Sequence, residues 1–272
     1  MMVKVNKGLL FAMAFSMMAI FGMQSCGDKP ITPPPPAPIK TGVQLNFAAL
    51  WEGQPITFLS GYFKNTATQP EYIQFLNFGM IISKLSLVKE DGSEVLLGDG
   101  YQWIDFKKSR TQFDYEVPEG SYKAVKFTFG LDSAINHGDP NQWGPEHPLN
   151  GNLTGMHWGW AGGYIFQAID GNYKDSLTDK FNKGMSFHAA TDAMKREFTI
   201  PVGAIGGPTG VFGVSAGKQT KVTFNYHVNK LFQAIELKKG AVSHSEGAKE
   251  SALMERLLSN LSDFKAFEVP IP

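Results

Sequence analysis

The segment Ile81–Leu97, IISKLSLVKEDGSEVLL, decides the fold class of this chain. Its apolar residues alternate with serine and lysine up to Asp91-Gly92, which is the period-2 pattern of a half-buried strand. An Asp-Gly pair between two apolar runs is a strong signal for a tight β-hairpin. We therefore predict that Ile81–Val88 pairs with Glu94–Leu97.

Similar alternating runs recur along the chain, at 43–51, 124–131, 194–202 and 220–228. Short strands separated by turn residues, without regularly alternating long helices, predict an all-β fold, an antiparallel β-sandwich with long connecting loops. The end of the chain differs, because Ala252, Leu253, Leu257, Leu258 and Leu261 fall near helical spacing. Ser243-His244-Ser245-Glu246 resembles a capping box before them. We expect a C-terminal amphipathic helix that closes an end or edge of the sandwich.

The first 25 residues are typical of a lipoprotein signal peptide. Lys4 and Lys7 precede an uncharged, mostly apolar run, and Ser25 stands directly before Cys26, the one cysteine of the chain. We predict that Cys26 carries a lipid that tethers the protein to a membrane. An ordinary signal peptide cut nearby and an uncleaved anchor are the alternatives. Residues 26–40 are a Pro-rich linker that favours a stiff polyproline spacer, and 41–272 form a single domain.

Charge and cysteine content exclude several classes of function. The 272 residues contain 25 basic and 25 acidic side chains. This balance argues against a nucleic-acid partner or a polybasic membrane surface. With no cysteine beyond Cys26, the mature body has no disulfide, thiolate metal site or cysteine nucleophile.

The candidate site is the stretch Asn136–Tyr164, NHGDPNQWGPEHPLNGNLTGMHWGWAGGY, which holds three of the six histidines and three of the five tryptophans. Large aromatic side chains are unusual in a loop. Imidazoles bind copper and zinc, and thioethers favour Cu(I). The candidate donors by residue type are His137, His147, His157, His188, Met156 and Met185. Core indoles with histidines at their rim are the alternative interpretation, and His227 and His244 are interpreted as structural or surface residues.

Trp158, Trp160 and Tyr164 stand at even spacing within HWGWAGGYIF. An extended chain would direct them to one face and His157 to the other. We interpret these three residues as a structural aromatic motif of the core. The alternative is an exposed platform that binds a glycan or a partner protein.

The segments FGLDSAINHGDP, HPLN, GMHWGWAGGYIF and FHAATDA resemble the MbnP-like family of bacterial envelope proteins, relatives of CorA and MopE. The family pattern is matched by Gly155, Met156, Trp158, Trp160, Gly163 and Tyr164. The resemblance spans roughly Val43 to Asn229. It implies a β-sandwich, in agreement with the strand pattern.

In copper-binding members of that family, two histidines and a kynurenine made from tryptophan hold one copper. His137, Trp143 and His188 reproduce the order, with Trp143 six and His188 fifty-one positions after His137. The resemblance implies these three as ligands. By residue type, we add His147, His157, Met156 and Met185 as secondary metal donors or site-lining residues. After His188 the family commonly has leucine or isoleucine and then glycine, where this chain has Ala189-Ala190.

Cu(I) is the favoured ion for such a site and zinc is the alternative, because Cu(I) tolerates few ligands. The resemblance implies a MauG-like dihaem peroxidase as a partner, and a TonB-type receptor is a second candidate. We predict a lipid-anchored copper-binding protein of the bacterial envelope, at the periplasmic or surface face of the outer membrane. It would acquire, store or deliver copper and would not be an enzyme. A glycan- or protein-binding module is one alternative, and a metal-dependent hydrolase with Asp139 or Glu146 as base is another.

Overall fold

The computed structural model describes residues 41–65, 70–159, 162–202, 210–263 and 267–268. Strands make up 47% of the described residues, which confirms a mostly β fold. The signal peptide and linker predicted for residues 1–40 lie outside the described residues, as does Trp160. No helix within these described ranges is long and apolar enough to cross a membrane.

The smaller sheet is organised around its first strand. Numbered in chain order, its strands are β1 (Gly42–Trp51), β2 (Gln54–Pro55), β7 (Gln112–Glu116), β13 (Gln219–His227) and β15 (Phe267–Glu268). β1 pairs with β2 and β7 in antiparallel fashion but with β13 in parallel. This pair is an exception to the antiparallel pairing predicted for most of the fold, because β13 returns to β1 after a long crossover.

The larger sheet is built on the 19-residue strand β4 and curls into a half barrel. Its strands in the described ranges are β3 (Phe63–Asn65), β4 (Glu71–Lys89), β5 (Glu94–Leu96), β6 (Gln102–Asp105), β8 (Gly120–Phe129), β9 (Ile165–Lys174), β10 (Lys183–Ala190), β11 (Arg196–Pro201), β12 (Phe212–Val214) and β14 (Val242–Ser243). The main path runs β11-β8-β4-β9-β10-β14. β14 pairs with β10 in parallel, a second departure from a purely antiparallel arrangement.

The hairpin predicted around Asp91-Gly92 is confirmed. Ser86 pairs with Leu96 and Val88 with Glu94, in antiparallel register. Gly92 takes a φ of 91°, a value that favours glycine. The strand before this turn is longer than the alternation predicted, because β4 begins ten residues before Ile81.

The two sheets share one hydrophobic core. Phe78 on β4 packs against Tyr226 on β13 with ring centroids 5.3 Å apart. The buried Tyr226 hydroxyl donates to Gln167 Oε1 on β9 at 2.7 Å, so the polar end of the phenol is satisfied inside the core. In a regular β-sandwich, two sheets stack face to face. Because the larger sheet is curled here, the sandwich arrangement stays a prediction.

The C-terminal helix is confirmed. Among the described residues, the α-helices are α1 (Ser133–Asn136), α2 (Gly151–Thr154), α3 (Val228–Leu231) and α4 (Gly247–Asp263). α4 buries Met254, Leu257, Leu258 and Leu261 against the core. The predicted capping box is wrong in its acidic residue, because the carboxylate of Glu250, and not that of Glu246, accepts the His244 backbone N–H at 2.6 Å.

Candidate metal centre

A row of polar side chains crosses three neighbouring strands of the larger sheet. Asn77 on β4 pairs with Asp170 on β9, and Asp170 pairs with Ser186 on β10. His188 follows Ser186 by two positions, so both side chains stand on the same face of β10. Phe187, between them, is fully buried in the core on the opposite face.

The row is closely hydrogen bonded. His188 Nε2 lies 2.9 Å from Asp170 Oδ1, and the Ser186 hydroxyl donates to the same oxygen at 2.8 Å. The Asn77 amide donates to Asp170 Oδ2 at 3.2 Å. Burial tends to raise the pKa of Asp170, but the bonds from His188, Ser186 and Asn77 outweigh it and hold that pKa below its ordinary value. Asp170 is therefore ionised at neutral pH and is available as an oxygen donor.

His244 joins this row from the edge strand β14. The parallel pairing sets Val242 beside Ser186 and Ser243 beside Phe187, which brings the next residue, His244, to His188. The two imidazole centroids are 5.0 Å apart, and His244 Nε2 lies 3.5 Å from Ser186 Oγ. His244 was interpreted as a structural or surface residue, but it lies beside His188 and Ser186.

Ser245 fixes the backbone of His244. Its hydroxyl donates to the His188 carbonyl at 2.8 Å and accepts from the Ala190 N–H at 3.1 Å. Ser245 takes a φ of 65°, which is uncommon for a residue other than glycine. Such a conformation persists where the surrounding bonds enforce it, so the position of His244 beside β10 is firmly determined.

A cleft of about 220 Å³ opens beside His188 and Asp170. Its other walls include Met156, Trp103, Asp105, Lys107 and Lys108. Met156 is only 4% exposed, and the His188 and Asp170 side chains are 18% and 31% exposed. The imidazole and the carboxylate are therefore sheltered but open to a small solute.

His137 has a different carboxylate partner from His188. It ends α1, and its Nε2 lies 3.4 Å from Asp192 Oδ1. Through the described ranges, no contact joins His137 to His188 or Trp143, and no group of three His, Cys, Asp or Glu side chains is already spaced for a metal ion. The ligand set His137, Trp143 and His188 stays a prediction.

Trp143 packs in an aromatic cluster. It stacks on the His147 imidazole with centroids 4.2 Å apart and lies 5.6 Å from the Tyr101 ring. His147 Nε2 lies 2.7 Å from Asp99 Oδ2, and its Nδ1 accepts the Leu149 N–H at 3.0 Å. A metal ion that bound a ring nitrogen of His147 would have to replace either Asp99 or the Leu149 N–H as its partner. The buried Trp143 indole N–H has no hydrogen-bond acceptor of ordinary geometry among the described residues.

Residues on the two sides of the aromatic motif pair with each other. The Ile165 N–H donates to the Met156 carbonyl at 2.9 Å, and the Trp158 N–H donates to the Gly163 carbonyl at 3.2 Å. The chain therefore reverses between these residues. Tyr164 is fully buried, and Trp158 is half-buried against the core.

The two other secondary candidates are His157 and Met185. His157 Nδ1 accepts the Gly159 N–H at 2.8 Å, and its ring stands edge-on to Tyr164. Burial lowers the pKa of His157, so this imidazole is neutral at neutral pH. Met185 is 3% exposed within the hydrophobic core.

Comparison with known proteins decides the family. The profile of the MbnP family matches residues 40–247, most of the chain. The chain belongs to the MbnP family. The structure of MbnP from Methylosinus trichosporium is similar in fold, with a TM-score of 0.50 over 78% of this chain and 86% of that one, at 15% sequence identity. No curated protein sequence matches the chain.

Asp170, Ser186 and His244 were not predicted as members of the site. The site residues predicted from the family resemblance lie within 136–164 and at His188. Asp170 lies in β9, Ser186 lies in β10, and His244 directly follows β14. A signal for two of them was present in the strand pattern. Asp170 ends the apolar run YIFQAI, and Ser186 and His188 alternate with buried Met185 and Phe187, which marks a polar face.

Proposed function

We propose that this member of the MbnP family is a lipid-anchored copper-binding protein of the bacterial envelope, which acquires, stores or delivers copper and is not an enzyme. The family is associated with methanobactin and copper systems. The observation that carries the proposal is the cleft in which the half-buried His188 imidazole and the Met156 thioether line one space of about 220 Å³. Imidazole with thioether is a donor combination that suits copper.

His188 is the central ligand of this proposal. The family resemblance supplies His137 and Trp143 as its companions, with Trp143 as a third ligand or as the residue oxidised to kynurenine. Bound copper would be Cu(I), which accepts two imidazole nitrogens and a weak third donor, with zinc as the alternative. A MauG-like dihaem peroxidase as the oxidant and a TonB-type receptor for uptake are the partners that this function calls for.

Two observations favour this function over its competitors. Trp158 is half-buried against the core, which leaves less of its face for a glycan or protein platform. Asp139, one proposed hydrolytic base, accepts the Asn141 N–H at 2.9 Å and caps a short turn. Its carboxylate is thus engaged in local structure instead of lying free beside a metal donor.

Metal content and intact mass test the proposal. Protein purified without a His tag from cells grown with added copper should contain about one copper per chain, and a gain of one oxygen with loss of one carbon would identify kynurenine, which peptide mapping would assign to Trp143. His188→Gln should abolish the bound copper, whereas His227→Gln should retain it. Untagged protein that contains zinc alone or no metal after growth with added copper would refute copper binding.

A further inference from the structure

We propose that the groove between α4 and residues 236–242 binds a small aliphatic carboxylate. This groove has a volume of about 550 Å³, which lies in the usual range of small-molecule sites. No histidine is among the described residues that line it. The inference therefore does not rest on the proposed copper site.

One wall of the groove is a stripe along α4. Lys249, Ala252, Leu253 and Arg256 line it and follow the spacing i, i+3, i+4 and i+7, which places them on one side of the helix. Lys249, Ala252 and Arg256 are exposed, so this stripe is separate from the face that α4 packs into the core. The two cations are about 10 Å apart along the helix axis, with apolar side chains between them.

The other wall is the segment that leads into β14. A Cβ on Gly240 would lie 3.2 Å from Leu253 Cδ2, so the chain passes directly over that leucine and closes the floor of the groove. Ala241 and Val242 continue this wall, and Val242 is 48% exposed. The described lining contains no aromatic side chain on which a nucleobase could stack. The aliphatic floor fits a saturated chain instead.

The carboxylates at the rim of the groove already have partners. Glu236 Oε1 lies 2.8 Å from Lys239 Nζ. Glu250 Oε2 accepts the backbone N–H of residue 244 at 2.6 Å. These two anions are thus engaged inside the protein.

The remaining cations of the rim, Lys249 and Arg256, select an anion. Arg256 Nη2 donates to the Ala234 carbonyl, a neutral acceptor, at 2.8 Å. Among the described residues, the Lys249 ammonium has no hydrogen-bond or ion-pair partner. Two cations without a carboxylate partner in the described ranges therefore flank an apolar floor. A carboxylate with an aliphatic chain complements both features, because hydrogen bonds between ionised groups are strong and the chain covers the floor.

Equilibrium dialysis of the full-length protein against radiolabelled octanoate tests this assignment. Octanoate joins a carboxylate to a saturated chain, and 1-octanol has the same chain length without the charge. Both are measured in one non-ionic detergent at a fixed concentration, with detergent alone as the blank. We expect a single saturable site for octanoate, with an affinity at least about 10-fold higher than for 1-octanol, since a hydrogen bond to a charged group contributes that much.

The double substitution Lys249→Gln/Arg256→Gln removes the two cations. It should lower the affinity for octanoate by about 10-fold and leave the affinity for 1-octanol unchanged. Lys238→Gln is the matched control, because Lys238 is exposed in the neighbouring segment but does not line the groove. This variant should bind both probes as the wild type does.

Ala252→Phe tests the floor of the groove without a change in charge. Ala252 is exposed, so the larger side chain would enter the groove and not the core, and octanoate binding should be lost while the fold is retained. Ser259→Phe adds the same side chain at an exposed position of α4 outside the groove and should bind octanoate normally.

Three results would overturn the inference. One is the absence of saturable octanoate binding by the wild type, or binding of 1-octanol that is equally tight. The second is wild-type octanoate affinity in the Lys249/Arg256 double variant and in Ala252→Phe. The third is loss of octanoate binding in Lys238→Gln or Ser259→Phe, which would place the bound probe outside this groove.

Discussion

Gly163 shows how a single residue shapes the candidate site. Its φ is 75°, and a Cβ at this position would lie 2.6 Å from Asn136 Oδ1 and 2.7 Å from the Asn136 carbonyl oxygen. Asn136 is fully buried, and its Oδ1 accepts the Tyr164 N–H at 2.8 Å while its amide donates to Asp192 at 2.9 Å. The close approach of the two backbones therefore anchors the 156–165 reversal to the residue before His137.

Replacement of Gly163 by alanine should destabilise the protein by about 2–5 kcal/mol. The unfavourable backbone conformation costs about 1–2 kcal/mol, and the clash with Asn136 adds about 1–3 kcal/mol. Urea unfolding followed by tryptophan fluorescence measures the loss.

Gly159→Ala is the matched control for this prediction. Gly159 has nearly the same φ, 77°, but a Cβ there would meet no atom within 4 Å. It should cost only the conformational part, about 1–2 kcal/mol. Equal losses in the two variants would show that contact with Asn136 contributes nothing.

At the scale of an element, the start of α4 determines the position of His244. The Glu250 carboxylate accepts the His244 backbone N–H at 2.6 Å, and the Ser243 hydroxyl donates to the Glu250 carbonyl at 2.8 Å. These bonds join the first turn of the helix to the end of β14. The helix thus holds the segment that carries His244, whose ring lies 5.0 Å from that of His188.

Glu250→Ala should lower the free energy of unfolding by about 1 kcal/mol, since it removes a capping interaction. Glu246→Ala, which alters the exposed acidic residue that the sequence predicted for the cap, should change the free energy of unfolding by less than about 0.5 kcal/mol. Thermal unfolding of both variants measures the two changes, and a larger loss in Glu246→Ala would restore the predicted capping box.

The sequence predicted a secondary-structure element correctly where the residues that determine it lie close together in the chain. The alternation before Asp91-Gly92 and the turn itself lie within 17 residues, and the hairpin has the predicted pairing. In the 156–165 segment, even spacing fits an extended chain, whereas the structure pairs Met156 with Ile165 and packs Gly163 against Asn136, a residue that lies outside the segment. Local periodicity cannot register such a tertiary contact.

At the scale of the whole molecule, the same limit applies to the candidate site. His188 was predicted from the family pattern, but its neighbours Asp170 and His244 are supplied by strand pairing, antiparallel on one side and parallel on the other. His244 is 56 positions from His188 in the chain, and neither residue has a motif that points to the other. Register between strands is set by the folded core, so these contacts were not accessible from composition or spacing.

The proposed membrane attachment depends on one residue, Cys26, which precedes the predicted domain. Cys26 is the one cysteine of the chain, and the proposed metal ligands all lie between 137 and 188. A lipid on Cys26 would therefore control where the protein is located without altering how it binds copper. A single substitution at Cys26 should therefore abolish membrane attachment and leave copper binding unchanged.

Cys26→Ser should move the protein from the membrane pellet to the soluble fraction and abolish labelling by a fatty-acid analogue. Its copper content per chain should equal that of the wild type, because the linker between Cys26 and the domain contains no histidine, methionine or further cysteine. Ser25→Ala retains a small residue before the cysteine and should remain lipid-labelled and membrane-bound. If Cys26→Ser stays in the pellet, the apolar run 8–23 is itself an uncleaved anchor, and attachment follows from hydrophobic insertion of that run instead of from acylation.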